Sequence, residues 1–160
     1  MRQKQKVQPA QVGLDGALAG LIATGPMTLF MLATQRLLPK GHQYALPPEI
    51  ITGELAQRMN VRPNLNKPQL LGATLVSHFG YGAGMGILYS PLSKLPLPSA
   101  LKGVLFGVMV WAASYLVLLP MLGMSETGHR EPSLRNFMMI GAHVVWGSVM
   151  GVVADMLVRE

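Results

Sequence analysis

Four long stretches without Asp, Glu, Lys or Arg constrain the fold of this chain more than any other feature of its sequence. They cover residues 16–35, 68–93, 103–125 and 136–154. Each is long enough for a helix to cross the hydrocarbon core of a bilayer, which is about 30 Å thick. A soluble helix of this length would need charge along its solvent face every few residues. The pattern therefore predicts an integral membrane protein in contact with the lipid bilayer.

The four stretches predict an all-α fold, a membrane four-helix bundle in which residues 1–160 form a single transmembrane domain. The predicted spans cover residues 13–35, 68–92, 100–122 and 136–158. Composition agrees with this prediction, because half of the residues are hydrophobic and only 12% are charged.

The net charge of +6 does not indicate a nucleic-acid partner, because the basic residues are scattered between apolar runs and never form a stripe. Anionic lipid headgroups are the expected counter-charge. The chain contains no Cys, which excludes disulfides, iron–sulfur clusters and thiolate zinc sites within it.

The long loop between the first two spans contains a helix signal. Two prolines, at 47 and 48, suit the first turn of a helix, and Glu49 complements the helix dipole there. Apolar residues then recur at every fourth position, at Ile51, Leu55 and Met59. The pattern predicts a short amphipathic helix at residues 47–60, which either lies on the membrane surface or packs on the bundle.

The second and fourth spans share a pattern that indicates an internal repeat. Residues 78–87 read HFGYGAGMGI and residues 143–152 read HVVWGSVMGV, so both follow H-x-x-aromatic-G-x-x-M-G-aliphatic. The first and third spans match more weakly, through GALAG at 16–20 and GVLFG at 103–107. We expect a duplicated two-helix hairpin with a pseudo-two-fold axis along the membrane normal. Chance similarity between glycine-rich apolar segments is the alternative.

Glycines four residues apart occur in every span. The pairs are Gly16 and Gly20, Gly80 and Gly84, Gly82 and Gly86, Gly103 and Gly107, and Gly147 and Gly151. Such GxxxG faces let helix backbones approach closely, which favours packing within the bundle, self-association or association with other membrane subunits. Gly25-Pro26 predicts a kink in the first span.

His78 and His143 are the candidate cofactor-binding residues, because an ionisable side chain inside a bilayer is costly to keep. The repeat places them at equivalent positions, where two neutral imidazoles suit the axial ligation of haem b or another tetrapyrrole. Tyr81 and Trp146, one turn later, would support these histidines by hydrogen bonds or line a cavity. The structural alternative is a hydrogen bond across the bundle for the histidines and ordinary packing for the aromatic rings.

The sequence contains no Ser-His-Asp arrangement, phosphate-binding loop, HExxH or dinucleotide fingerprint, so we do not expect an enzyme. A polar turn with Glu126 and His129 offers metal-ligating side chains together with His42 and Glu49. Their spacing matches no metal motif, and we therefore expect a solvated loop and no metal site.

Three short motifs carry a family resemblance. They are Ser77-His78 in the second span, PMLGM at 120–124 and GAHVVW at 141–146. In these motifs the chain resembles the YagU-like family of small bacterial inner-membrane proteins, whose biochemical role is undefined. The resemblance covers roughly the last three spans and implies a bacterial plasma-membrane location with cytoplasmic termini. The first loop of this chain is more compact, so no function of that loop is implied.

The basic start of the chain bears on its orientation. Arg2, Lys4 and Lys6 precede an apolar run without a signal-cleavage pattern, so we expect a retained first helix. These residues and the short loop holding Lys94 favour cytoplasmic termini, although the basic residues on the two sides are nearly balanced.

The sequence leaves three functions open. The leading hypothesis is an accessory, scaffolding or oligomer-forming subunit of a membrane complex, based on the small-residue faces. The alternative is an electron-transfer protein that binds haem b through His78 and His143. The second alternative is a small transporter or pore that acts as an oligomer, for which the kinked first span and the histidines within the spans are the arguments.

Overall fold

The described part of the chain is helical throughout. A computed structural model describes residues 9–39, 43, 45–124 and 133–159, and these ranges contain no strand. The helices are α1 (Pro9–Leu37), α2 (Pro47–Arg58), α3 (Lys67–Ile87), α4 (Ser90–Ser93), α5 (Ser99–Met121) and α6 (Ser133–Arg159). Within α5 the turn Ala113–Leu118 is π-helical, and a 3-10 turn at Arg62–Asn64 precedes α3.

Local sequence explains where α2 and α3 begin. Prolines occupy the first positions of α2, and Glu49 lies in its first turn. The start of α3 is a capping box, in which the backbone N–H of Gln69 donates to the side chain of Asn66 over 3.0 Å. In return, the backbone N–H of Asn66 donates to the Gln69 side chain over 2.9 Å. The loop between α1 and α3 therefore has its own helical structure, as its prolines predict.

Three of the described helices are long and apolar enough to span a membrane. These segments are Gln11–Leu37, Ser99–Met121 and Leu134–Val158, with mean hydropathies of 1.6, 2.1 and 1.8. The predicted second span corresponds to α3, which is not among them. Its glycines, Ser77 and His78 keep the mean hydropathy of α3 below that of these three segments. Three helices therefore have the length and composition of membrane spans, whereas a fourth span and the four-span bundle stay predictions.

Large apolar side chains cover the outside of the described helices. Leu29 is 68% exposed, Phe137 71% and Met156 62%, and each lies on a helix long enough to span a bilayer. The buried residues along α1 and α6 are mostly small or flexible, such as Ala19 and Met150, which are fully buried. An apolar exterior around such a core is expected for a protein surrounded by lipid.

The helices pack around a central pair. α1 contacts α6 at the centre, α3 packs on α1, and α5 packs on α6. Among the described helices, α3 and α5 make few direct contacts with each other, so they stand apart on one side of the molecule. α2 packs against α3.

Glycines form the contact between α1 and α3. A Cβ atom at Gly16 or Gly20 would overlap the carbonyl oxygen of Gly86 or Gly82, respectively. Two backbones can approach this closely only where both lack side chains. The four-residue spacing of the sequence therefore matches a real contact between these helices.

The contact between α5 and α6 is built in the same way. A Cβ at Gly103 would overlap the carbonyl oxygen of Gly147, and a Cβ at Gly151 that of Ser99. The α1–α3 and α5–α6 contacts thus use glycines at the positions that the predicted repeat equates. Their origin by duplication stays a prediction, because similar packing also arises independently.

Two further predictions concern the pair Gly80 and Gly84 and the kink at Gly25-Pro26. Gly80 and Gly84 have no described neighbour within 4 Å of a Cβ position, so this pair does not hold the described helices together. α1 continues as one helix through Pro26. The bend predicted at Gly25-Pro26 stays a prediction.

Candidate functional site

A cavity of about 300 Å³ lies between α3 and α5, where these two helices stand apart. Met27 and Met31 of α1 and Met139 of α6 line it on the side of the central pair. Ile51 and Leu55 of α2 also belong to its wall. Most of the lining is therefore apolar, and polar groups occur at a few defined places.

All four site residues that the sequence predicts line this one cavity. His78 and Tyr81 come from α3, and His143 and Trp146 come from α6. The tertiary structure brings them together because α3 and α6 both pack on α1. Binding of a cofactor by these residues stays a prediction.

His143 has a defined hydrogen bond. Its side chain is only 7% exposed, and its Nδ1 atom lies 2.8 Å from the carbonyl oxygen of Met139. A carbonyl oxygen only accepts, so Nδ1 carries the proton and donates. In the neutral ring the lone pair is then on Nε2.

His78 lacks such a partner. Its Nε2 atom is buried, and the ring makes no hydrogen bond to any residue that the structure describes. A buried polar atom without a partner costs about 1–3 kcal/mol. Such an atom in a native protein requires an explanation, and a bound molecule or water is a common one.

Tyr81 bridges the two separated helices. Its hydroxyl lies 2.6 Å from the hydroxyl of Ser114 on α5. Ser114 donates its own proton to the carbonyl oxygen of Val110 over 2.7 Å, so Tyr81 is the donor in this bridge. Ser114 lies in the π-helical turn of α5, a type of distortion that is frequent at functional sites.

Trp146 connects α6 to α1. Its indole N–H donates to the carbonyl oxygen of Gly20 over 3.1 Å, and its ring packs against Phe106 at a centroid distance of 6.0 Å. Tyr81 and Trp146 therefore line the cavity, as one interpretation of the sequence predicts. The hydrogen bonds that the structure gives them go to Ser114 and Gly20, and not to the histidines.

α2 is held over one end of the cavity by polar contacts. The hydroxyls of Thr52 and Ser77 lie 2.7 Å apart and join α2 to α3. Arg58 forms an ion pair with Glu54 at 2.7 Å and donates to the carbonyl oxygen of Leu122 over 2.6 Å. The predicted loop helix thus packs on the bundle through these contacts. Its contact with lipid headgroups stays a prediction.

A second polar cluster, which the sequence did not predict, lies between α5 and α6. Lys102 is 5% exposed, and its Nζ atom lies 3.2 Å from both carboxylate oxygens of Asp155. Lys102 also donates to the carbonyl oxygen of Ser93 over 2.9 Å, and Ser99 donates to Asp155. Lys102 adjoins Gly103, and Asp155 follows Gly151 by one turn, but this spacing does not indicate that the two side chains meet.

Two charged residues at the ends of the apolar segments are buried. A charged side chain at the end of a membrane span ordinarily reaches the interface or water. Lys102 is buried against α6, and Asp15 is 6% exposed and accepts a hydrogen bond from Gln11 over 2.9 Å. Both side chains lie beside glycine contacts, where the neighbouring helix comes close enough to cover them.

Several predicted groups lie outside the described residues. These are the basic start with Arg2, Lys4 and Lys6, and the polar turn with Glu126 and His129 together with His42. Within the described ranges, no three His, Asp or Glu side chains come together in a way that would hold a metal ion.

Comparison with known protein families identifies a family model that matches most of the chain. The model of a family described as a protein of unknown function, DUF1440, matches residues 30–152, a range that contains all four site residues. Neither the curated proteins nor the solved structures yield a match. The match agrees with the expectation of an uncharacterised family, whereas the YagU-like name stays a prediction.

Proposed function

The chain belongs to the DUF1440 family of proteins of unknown function, and from the cavity we propose that it binds a small apolar molecule within the membrane. One observation carries this proposal. The cavity of about 300 Å³ is lined by His78, whose buried Nε2 atom has no partner among the described residues. Small-molecule sites are concave, mostly apolar and equipped with a few convergent polar groups, and they start at about this volume.

The position of the cavity suits a ligand that arrives from the lipid. α3 and α5, which flank it, both carry exposed apolar side chains such as Val76 and Val117. Between these helices, Tyr81 and Ser114 form the single hydrogen-bonded bridge among the described residues. A ligand that enters from the bilayer therefore has to break one hydrogen bond and displace flexible side chains. The predicted bacterial inner-membrane location with cytoplasmic termini is part of this proposal.

Fluorescence of Trp146 provides a direct test. The chain has two Trp residues, so a Trp111→Phe variant leaves Trp146 as the only reporter. Trp146 lines the cavity and is 3% exposed, which shields it from molecules in the surrounding lipid. Bromine quenches indole fluorescence at contact distance. In lipid nanodiscs we expect saturable quenching by 4-bromophenol or 4-bromoanisole.

A matched pair of variants controls this experiment. Val110 lines the cavity, whereas Val117 of the same helix is 53% exposed and does not. We expect Val110→Phe to fill the cavity and abolish quenching, and Val117→Phe to leave it unchanged. If neither compound quenches Trp146 in the single-Trp protein, the proposal is wrong.

Association with other subunits is a second candidate function. Gly72, Gly80 and Gly84 form a face of α3 with no described neighbour within 4 Å of their Cβ positions. Val76, on the same face, is 75% exposed. Such a face suits a scaffolding or oligomer-forming subunit. A dimer in mild detergent that Gly80→Leu dissociates would support this role, and Gly53→Leu on α2 provides the control.

The electron-transfer alternative uses the same two histidines. The Nδ1 donation of His143 to a backbone carbonyl is typical of histidines that ligate a metal through Nε2. The cavity, however, lies at the lower size limit of small-molecule sites, which disfavours a macrocycle. A Soret band lost in both His78→Ala and His143→Ala would replace our proposal by haem binding. The transporter or pore alternative has no specific support among the described residues.

A further inference from the structure

The polar groups of the cavity wall differ in whether their protons are still available. Thr24 donates its hydroxyl proton to Gly20 over 2.8 Å, and Trp146 donates its indole proton to the same residue. Tyr81 donates to Ser114, which in turn donates to Val110. These donors are therefore committed within the protein.

The hydroxyl protons near α2 are also committed to partners within the protein. Ser77 donates to the carbonyl oxygen of Thr74 over 3.1 Å, so Thr52 is the donor in the bond between Thr52 and Ser77. A ligand in the cavity thus finds none of these protons free.

The two imidazoles of the cavity wall differ from these committed groups. His143 uses its Nδ1 proton on Met139, and in the neutral ring its Nε2 offers a lone pair. His78 makes no hydrogen bond to the described residues, so its single ring proton is uncommitted. One imidazole is therefore an acceptor, and the other has a proton to donate.

We infer that the bound molecule carries a hydroxyl group, which donates to Nε2 of His143 and accepts from His78. A hydroxyl is the smallest group that both donates and accepts, and so it satisfies both rings. The rest of the molecule is apolar and small enough for about 300 Å³, as in a phenol or a short apolar alcohol. This inference rests on the proposed function and specifies the ligand of the same site.

The ring nitrogens of His78 and His143 that lack partners predict which ligands the cavity prefers. A ketone or an ether of the same shape has no proton to donate, so it leaves Nε2 of His143 without a partner in an apolar site. Sites built to hydrogen-bond a hydroxyl discriminate strongly against analogues that lack it. The cavity is therefore expected to prefer alcohols and phenols over their methyl ethers.

The comparison of 4-bromophenol with 4-bromoanisole tests this inference. The two molecules differ by O-methylation, which removes the proton. Quenching of Trp146 is measured in the Trp111→Phe protein in lipid nanodiscs, and concentrations are corrected for partitioning of each compound into the lipid. We expect a dissociation constant about tenfold lower for the phenol, as one hydrogen bond allows.

Histidine variants locate the acceptor of the ligand's proton. We expect His143→Phe to remove the preference for the phenol while both compounds still quench, and His143→Gln, which retains an acceptor oxygen, to keep part of it. If His78→Phe removes the preference and His143→Phe does not, the assignment of the acceptor to His143 is wrong.

The comparison of the two compounds in the Trp111→Phe protein remains decisive if a histidine variant fails to fold. Equal corrected dissociation constants for the two compounds would overturn the hydroxyl inference and leave the proposed function intact. Absence of quenching by both compounds would instead overturn the proposed function.

Discussion

The two peripheral helix pairs use the same glycine contact but differ in what reinforces it. In the α5–α6 pair, the buried Lys102 and the partly exposed Asp155 form an ion pair next to the glycines, and Ser99 adds a hydrogen bond. In the α1–α3 pair, Asp15 lies near the equivalent place, and its described hydrogen bond goes to Gln11 of its own helix. α3 is thus held to α1 mainly by close backbone packing.

The contrast between the two pairs indicates which wall of the cavity can move. A buried ion pair fixes one arrangement of two helices, because any separation exposes an uncompensated charge to an apolar environment. Glycine contacts give close packing without this penalty. We therefore expect α3, which carries His78 and Tyr81, to be the side that opens, while α5 and α6 form the rigid side.

The largest effect is expected when the ion pair of the rigid side is broken. Lys102→Met removes the ammonium group that pairs with Asp155, and removal of one partner from a buried pair costs about 3 kcal/mol or more. Asp155 is partly accessible, with 20% of its side chain exposed, so we expect a value at the lower end. The measurement is reversible unfolding in mixed micelles.

The double variant Lys102→Met with Asp155→Leu serves as the control. Replacement of both charges by apolar groups is often neutral, so most of the lost stability should return. If the single variant is as stable as the wild type, the contrast between a rigid and a mobile pair is wrong.

A smaller effect is expected at the glycine contact of the mobile side. A methyl group at Gly20 would overlap the backbone of Gly82, so Gly20→Ala should push α3 away from α1 at a cost of about 1–3 kcal/mol. The same unfolding assay measures this loss.

Gly80→Ala provides the matched comparison, because nothing described lies within 4 Å of its Cβ position. Ala is the better helix former by up to about 1 kcal/mol, so this variant should be neutral or slightly stabilised. Equal losses at the two positions would contradict the packing of α3 on α1.

The smallest effect is expected at the bridge between the two sides. Tyr81→Phe removes the proton donated to Ser114 and should cost about 1 kcal/mol, the net worth of a typical hydrogen bond. If this bond holds the cavity closed, the exchange of a bound bromophenol should become faster while its contact with Trp146 remains. Stopped-flow recovery of Trp146 fluorescence measures that rate, and an unchanged rate would show that α3 opens elsewhere.

Part of the site could be predicted from the sequence because its signals are local. His78 and His143 stand out as ionisable residues in apolar segments, and the shared pattern places Tyr81 and Trp146 one turn further on. All four line the cavity. Ser114 and Val110 were missed, since a serine and a valine in an apolar span carry no distinctive signal.

The buried position of Lys102 was missed for a different reason. A charged residue at the end of a span normally reaches the interface, and the sequence contains no sign that a neighbouring helix covers it. The cover comes from α6, which approaches closely at Gly147 and Gly151. Only the contact between α5 and α6 shows that Lys102 is buried, and local sequence patterns do not predict that contact.

The amino-acid sequence predicts helices with the length and composition of membrane spans, and it indicates which residues can form close helix contacts. Both properties depend on segments of a few to about 20 residues, over which hydropathy and glycine spacing can be read directly. Helix packing shows in addition that α3 and α5 stand apart around a cavity, that α2 lies over it and that Lys102 meets Asp155. Membrane helices are apolar on nearly all sides, so their periodicity does not show which face turns inward, and only packing settles it.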